Sequence, residues 1–145
     1  MSKKKVLVIS GPNLNLLGAR EKDIYGDVTL KEIYLKMMDI SSNEDLIVEC
    51  KQSNSESEII DFIQDAQIEF DGIIINAGGY THTSVSIRDA LKYFDGYIIE
   101  IHMSNIHARE EFRKISMISG VSDGLIVGFG PDSYYLALKA ITSKL

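Results

Sequence analysis

Val6-Leu7-Val8-Ile9-Ser10 runs without a charged residue into Gly11-Pro12-Asn13. Five apolar or small residues that end at a chain breaker have the length of a strand rather than a helix, and the lack of apolar-polar alternation means that both faces are covered. Four more runs share this character: Leu46 to Cys50, Gly72 to Asn76, Gly96 to Ile101 and Gly124 to Gly128. Between them lie segments of helical length and period, at Leu30 to Ser41, Glu56 to Phe70, Ser84 to Phe94, Ala108 to Ser116 and Ser133 to Ser143. Near-continuous apolar strands that alternate with helices imply a parallel sheet joined by crossovers.

The expected fold is therefore α/β: a flavodoxin-like, doubly wound five-stranded parallel sheet with helices on both faces, in one domain over residues 1–145. Two helix starts are spelled as capping boxes, Thr29 with Glu32 and Ser55 with Glu58. The long irregular stretch is Gly11 to Val28, and a loop of that length in a compact domain is usually functional.

Composition narrows the classes. With 45% hydrophobic and 25% charged residues the chain reads as soluble and globular. A net charge of -6 leaves no general attraction to nucleic acid or to anionic lipid. The basic start is followed by too short an apolar run for a signal peptide, and no stretch approaches the roughly 20 residues of a membrane span, so a cytoplasmic protein is expected. The one cysteine, Cys50, sits in an apolar run and reads as a structural thiol. Met37 and Met38 read as core or gap filler.

Ligands of open parallel sheets bind beyond the carboxyl ends of the strands. Here those ends deliver Gly11-Pro12-Asn13, Asn76-Ala77-Gly78-Gly79 and Glu100-Ile101-His102-Met103-Ser104-Asn105 to one rim. Glu100 and His102 are two apart on a strand, so both project from one face, and a carboxylate there orients the ring and raises its basicity. A frayed acid and a packed histidine would share that spacing. Arg109 and Arg113 are four apart on an expected helix, which suits a carboxylate or polyol ligand or a plain solvated face. Tyr25 follows Arg20 in the long loop; cations beside a phenol favour its ionised form, while an isolated loop tyrosine usually packs. The histidines His82, His102 and His107 lack zinc-ligand spacing. Gly128-Phe129-Gly130 is half of a dinucleotide fingerprint in the wrong place, and Leu14, Leu16 and Leu17 fill the loop where a flavin or phosphate cradle would be polar.

Taken together, Gly-Pro-Asn-Leu-Asn-Leu-Leu-Gly at 11 to 18, Arg20-Glu21, Tyr25-Gly26, the block from Asn76 to Ser84, Glu100 to Asn105, Arg109-Glu110-Glu111-Phe112-Arg113, and the closing Gly-Phe-Gly and Tyr-Tyr-Leu-Ala-Leu resemble the type II dehydroquinase family in order and spacing. The resemblance implies a 3-dehydroquinate dehydratase, a hydro-lyase of the shikimate route to chorismate and the aromatic amino acids, or of quinate breakdown. It acts without cofactor, metal or imine. By it, Tyr25 is the base at C2, favoured as tyrosinate by Arg20 on a mobile loop and by Arg113. An ordered water near Asn13 stabilises the enolate, and His102, oriented by Glu100, protonates the departing C1 hydroxyl. Asn76, His82, Ser104, Arg113 and the backbone N–H of Met103 grip substrate, Arg109 holds the closed loop, and Asp89 reaches a neighbouring subunit's site in a dodecamer of four trimers.

Departures are small: Gly79 stands where Ala is common and Ser55 where many relatives carry His. A non-catalytic flavodoxin-like binding module fits the same fold and is the rival class, although it has no need of Tyr25, Glu100 and His102 on one rim. The type I enzymes use a lysine imine on a barrel that this chain is too short to form.

Overall fold

The computed structural model describes residues 3–19 and 21–145, so the expectation for Arg20 lies outside the described residues. Five strands form one parallel sheet: β1 (Lys4–Ser10), β2 (Leu46–Gln52), β3 (Gly72–Asn76), β4 (Tyr97–His102) and β5 (Gly124–Val127). Their order across the sheet is β2-β1-β3-β4-β5. The direction of winding reverses between β1 and β3, which is where a doubly wound sheet opens a crevice for ligands.

The strands lack alternation because both faces are dry. Val6, Val8, Ile74, Ile99 and Ile101 point to one layer, against Ile33 and Met37 of α2 (Leu30–Ser42) and Tyr134, Ala137, Leu138 and Ile141 of α5 (Asp132–Thr142). Leu7, Ile9, Ile73, Ile75 and Ile98 point to the other, against Ile59 and Ile63 of α3 (Glu56–Glu69) and Ile87 and Leu91 of α4 (Val85–Tyr93). Each fully buried Leu or Ile contributes about 1.5–3 kcal/mol. Successive residues of one strand thus fasten helices on opposite sides.

Both capping serine/threonine positions act as spelled: Thr29 Oγ1 accepts from Glu32 N at 3.2 Å, and Ser55 Oγ from Glu58 N at 3.3 Å. Ser84 caps α4 through Ile87 N at 2.9 Å. The long first loop holds a 3-10 turn at Leu14–Leu16 and a short helix, α1 (Lys22–Tyr25).

One expected element differs. In place of a helix over Ala108 to Ser116 there are two 3-10 turns, Ile106–Ala108 and Glu111–Lys114, split by extended backbone at Arg109 (φ -109, ψ -156) and Glu110 (φ -59, ψ 149). Tertiary bonds override the local propensity here. Arg109 reaches Tyr25 and Ser104, Met117 N donates to Thr81 O at 2.7 Å, and Ser116 is bonded to Glu100.

Candidate active site

Close backbone approach builds the rim. Gly11 N donates to Asn76 O at 2.7 Å, and a Cβ at Gly11 would collide with Ala77 O, so only glycine lets the ends of β1 and β3 touch. Asn13 then takes a left-handed conformation (φ 70), one that Asn tolerates, and its N–H donates to Asn54 Oδ1 at 3.0 Å. Gln52 Nε2 ties the same Asn54 oxygen at 3.2 Å and Gly11 O at 3.2 Å. Asn54 was not singled out by sequence, because a polar residue in a Ser/Asn-rich turn carries no distinguishing mark.

These loops enclose a polar cavity of about 140 Å³ lined by residues of the β1, β3 and β4 ends and of the 104–113 segment. Asn13, Tyr25, Asn76, His82, His102, Met103, Ser104, Arg109 and Arg113 all line it, along with Glu21. Asp89 does not. It lies exposed on α4, with its carboxylate 3.6 Å from Arg88. A larger groove of about 760 Å³ beside α5, lined by Ile40, Phe129, Tyr135 and Leu136 among others, has no histidine, arginine or amide side chain and so no comparable chemistry.

On one side of the cavity stand the two strand residues. Glu100 is fully buried, and its Oε2 accepts from His102 Nε2 at 2.5 Å. Ser116 Oγ donates to the same oxygen at 3.0 Å, and Ser119 Oγ donates to Oε1. Burial alone would raise the Glu100 carboxyl; the hydrogen bonds from His102 and Ser119, the His102 charge and the bond from Ser116 outweigh it and hold the group below the ordinary glutamate value. An ionised carboxylate fixed on Nε2 leaves Nδ1 of His102 as the nitrogen for a ligand. His82 stacks on His102 with ring centroids 6.4 Å apart, and its Nδ1 is 2.8 Å from Ile115 O. Burial lowers the His82 pKa, with the His102 and Arg113 charges adding to the effect against the Ile115 bond, so the ring facing His102 favours its neutral form.

On the other side, Arg109 Nη1 donates to Tyr25 Oη at 2.9 Å and to Ser104 Oγ at 3.1 Å, with the guanidinium carbon 5.7 Å from the Tyr25 ring centre. Among the described residues, then, it is Arg109 whose contact with the tyrosine hydroxyl is defined; Arg113 lines the same cavity and pairs with Glu110 at 3.0 Å. A phenol beside a guanidinium and an imidazole backed by a carboxylate thus face one cavity, and both are side chains able to exchange a proton with a ligand held there.

Beneath the floor runs a buried hydroxyl chain. Asn76 Nδ2 donates to Tyr134 Oη at 3.2 Å, Tyr134 Oη lies 2.9 Å from Ser10 Oγ, and Tyr34 Oη donates to Ser10 Oγ at 2.7 Å. Gly78 N donates to Asn76 Oδ1 at 3.3 Å, so both ends of the Asn76 amide are assigned. Burial pushes the Tyr134 hydroxyl up to about 12 and Tyr34 higher, so both stay protonated. Cys50 is half-buried and likewise pushed up to about 12, as a structural thiol should be. No group of metal-ligating side chains occurs among the described residues, and no helix among them is long and apolar enough to cross a membrane.

Comparison with known proteins gives the family. The sequence profile of Dehydroquinase class II matches residues 4–142. A 3-dehydroquinate dehydratase from a Nitratiruptor species is 53% identical over 137 residues, covering 94% of this chain and 88% of that protein. The crystal structure of a type II dehydroquinase from Butyrivibrio crossotus superposes with a TM-score of 0.95 at 46% identity, covering 97% of this chain and 99% of the other. A second crystal structure, of the type II dehydroquinase from Propionibacterium acnes, gives 0.94 at 37% identity over 97% of each chain. With a family match over nearly its whole length and the same fold in solved relatives, this chain belongs to the class II dehydroquinases.

Proposed function

We propose that this single catalytic domain dehydrates 3-dehydroquinate to 3-dehydroshikimate by a stepwise anti elimination. The observation that carries the reading is the pair of proton-handling groups on one cavity, Tyr25 with Arg109 and His102 with Glu100. Tyr25, as tyrosinate, takes the C2 proton next to the ketone, and the electron pair moves into an enolate. Arg20 and the guanidinium at Tyr25 favour the anionic phenol. The charge developing on the enolate oxygen is met by a water near Asn13, a form of preorganised electrostatic stabilisation. As the enolate collapses, the C1–O bond breaks, and doubly protonated His102 gives its proton to the leaving hydroxyl, which departs as water. Glu100 stabilises the imidazolium before that transfer.

The step is redox-neutral, and each proton has a protein acceptor or donor, so the chemistry calls for no cofactor. Asn76, His82, Ser104, Arg113 and the Met103 N–H hold the substrate carboxylate and hydroxyls; Arg109 ties Tyr25 to Ser104 and so closes the loop on it. Asp89, exposed on α4, serves the cavity of a neighbouring copy in a homo-oligomer, proposed as a dodecamer of four trimers. The product feeds chorismate and aromatic amino-acid synthesis or arises in quinate breakdown.

Dehydration creates a conjugated enone, so the test is a rise in ultraviolet absorbance when purified protein meets 3-dehydroquinate. Turnover supports the reading, and its absence under conditions where the chain is folded overturns it.

A further inference from the structure

The serines of the 116–119 segment are absorbed neither by the family resemblance nor by the mechanism above. The carboxylate of Glu100 has two oxygens, and both are engaged. Oε2 takes His102 Nε2 at 2.5 Å and Ser116 Oγ at 3.0 Å, while Oε1 takes Ser119 Oγ. Ser116 Oγ also accepts from Ile118 N at 3.2 Å and Ser119 N at 3.1 Å, which locks the turn carrying both serines to the carboxylate. Immediately before this turn Ile115 O meets His82 Nδ1 at 2.8 Å, and within it Met117 N is anchored on Thr81 O. One short segment therefore holds both stacked imidazoles of the cavity, directly at His82 and through Glu100 at His102.

We propose that Ser116 and Ser119 are positioning residues for the reaction: together they fix the plane of the Glu100 carboxylate, and through it the orientation of the His102 ring. The proposal rests on the functional reading above. Without the two hydroxyls, a buried carboxylate with one remaining donor can rotate about its terminal bond, a torsion with broad wells. It also loses two of the three bonds that keep it ionised in a dry setting. The titratable groups that bear on Glu100 are His102 on its own strand and His82 across the ring stack, with Arg113 acting in turn on His82; the flanking strands present Ile75 and Leu125.

The experiment compares Ser119→Ala, Ser119→Thr, Glu100→Gln and the double variant Ser119→Ala/Glu100→Gln, by steady-state kinetics on 3-dehydroquinate and by urea unfolding from neutral pH down through the folded value of the Glu100 carboxyl, below the ordinary glutamate range. Losing one hydrogen bond to a charged group should lower kcat about ten-fold with little change in KM. Ser119→Thr, which keeps the hydroxyl, should restore most of it, and adding Ser119→Ala to Glu100→Gln should cost little more. Stability carries its own signature. A carboxyl held low in the fold stabilises the protein above its unfolded value, and that gain disappears as pH falls through the folded value. The stability gap between wild type and Ser119→Ala should thus be widest near neutrality and shrink in acid, and in the Glu100→Gln background Ser119→Ala should show no such pH dependence. A gap constant with pH, an additive kinetic loss in the double variant, or a kcat unchanged by Ser119→Ala would overturn the proposal. If wild type failed to turn over the ketone, the functional reading would fall, while the unfolding data would still decide whether Ser119 holds the carboxylate.

Discussion

Replacing Glu100 by Gln keeps the volume of a fully buried side chain and removes its charge. The carboxylate accepts from three donors, the His102 ring and the hydroxyls of Ser116 and Ser119. An amide has only one accepting oxygen, so at least one of the three must face an NH2 group. Ser119 can turn its hydroxyl round to accept; Ser116 already accepts from Ile118 N and Ser119 N, and the ring N–H cannot accept unless the imidazole gives up that proton. His102 then loses the counter-ion that stabilises its doubly protonated form. A hydrogen bond to a charged group is worth about 1.5–3 kcal/mol, so kcat should fall roughly 10- to 100-fold while KM moves little. The same bonds hold the carboxyl below its ordinary value, so wild type should exceed Glu100→Gln in stability most strongly near neutrality, and the difference should close as pH drops through the folded value. Steady-state kinetics and urea midpoints across pH measure both. An unchanged kcat, or a stability gap that persists undiminished into acid, would refute the role given to this carboxylate.

Three further outcomes are expected. His102→Ala should lose more than Glu100→Gln, roughly 10²- to 10⁴-fold in kcat, and still bind substrate, because protonation of the leaving hydroxyl matters chiefly in the transition state; near-wild-type turnover would remove His102 as the acid. Turnover should survive a strong chelator, and borohydride with substrate should trap no lysine adduct; mass spectrometry that finds one would replace the enolate path with an imine. Light scattering should report a particle several times the 16.2 kDa of the chain, and Asp89→Ala should impair activity although Asp89 lies outside its own cavity; an active monomer would contradict a shared site.

Much of the fold was legible because each strand is a short apolar run and each long helix is periodic, and both facts follow from burial. The pairing of Glu100 with His102 was legible for the same reason: two residues apart on one strand means one face, and the structure has them bonded. The segment from Ala108 to Ser116 misled, since Glu, Arg and Ala favour a helix locally, whereas contacts to Tyr25, Thr81 and Glu100 from distant parts of the chain pull it into turns. Ser116 and Ser119 escaped notice because serine is ordinary in loops, and their partner stands on the preceding strand. Tyr134 left a fainter mark. It shares the inward face of α5 with Ala137, Leu138 and Ile141, and a hydroxyl on a wholly apolar stripe calls for a buried partner, which Ser10 and Asn76 provide. That partner could not be named from sequence, since Ser10 and Tyr134 stand 124 positions apart.

The most direct test of the account is the turnover of Tyr25→Phe. The change deletes one oxygen from a half-buried ring on a surface loop, and with it the bond from Arg109 at 2.9 Å, and it leaves both hydrophobic layers of the sheet untouched, so fold and assembly should persist by circular dichroism and light scattering. If Tyr25 takes the C2 proton, the ultraviolet assay should show at least a roughly 10²-fold loss of kcat, while calorimetry shows substrate still bound. A Tyr25→Phe variant that converts 3-dehydroquinate at close to the wild-type rate would contradict the tyrosinate base and the elimination built on it.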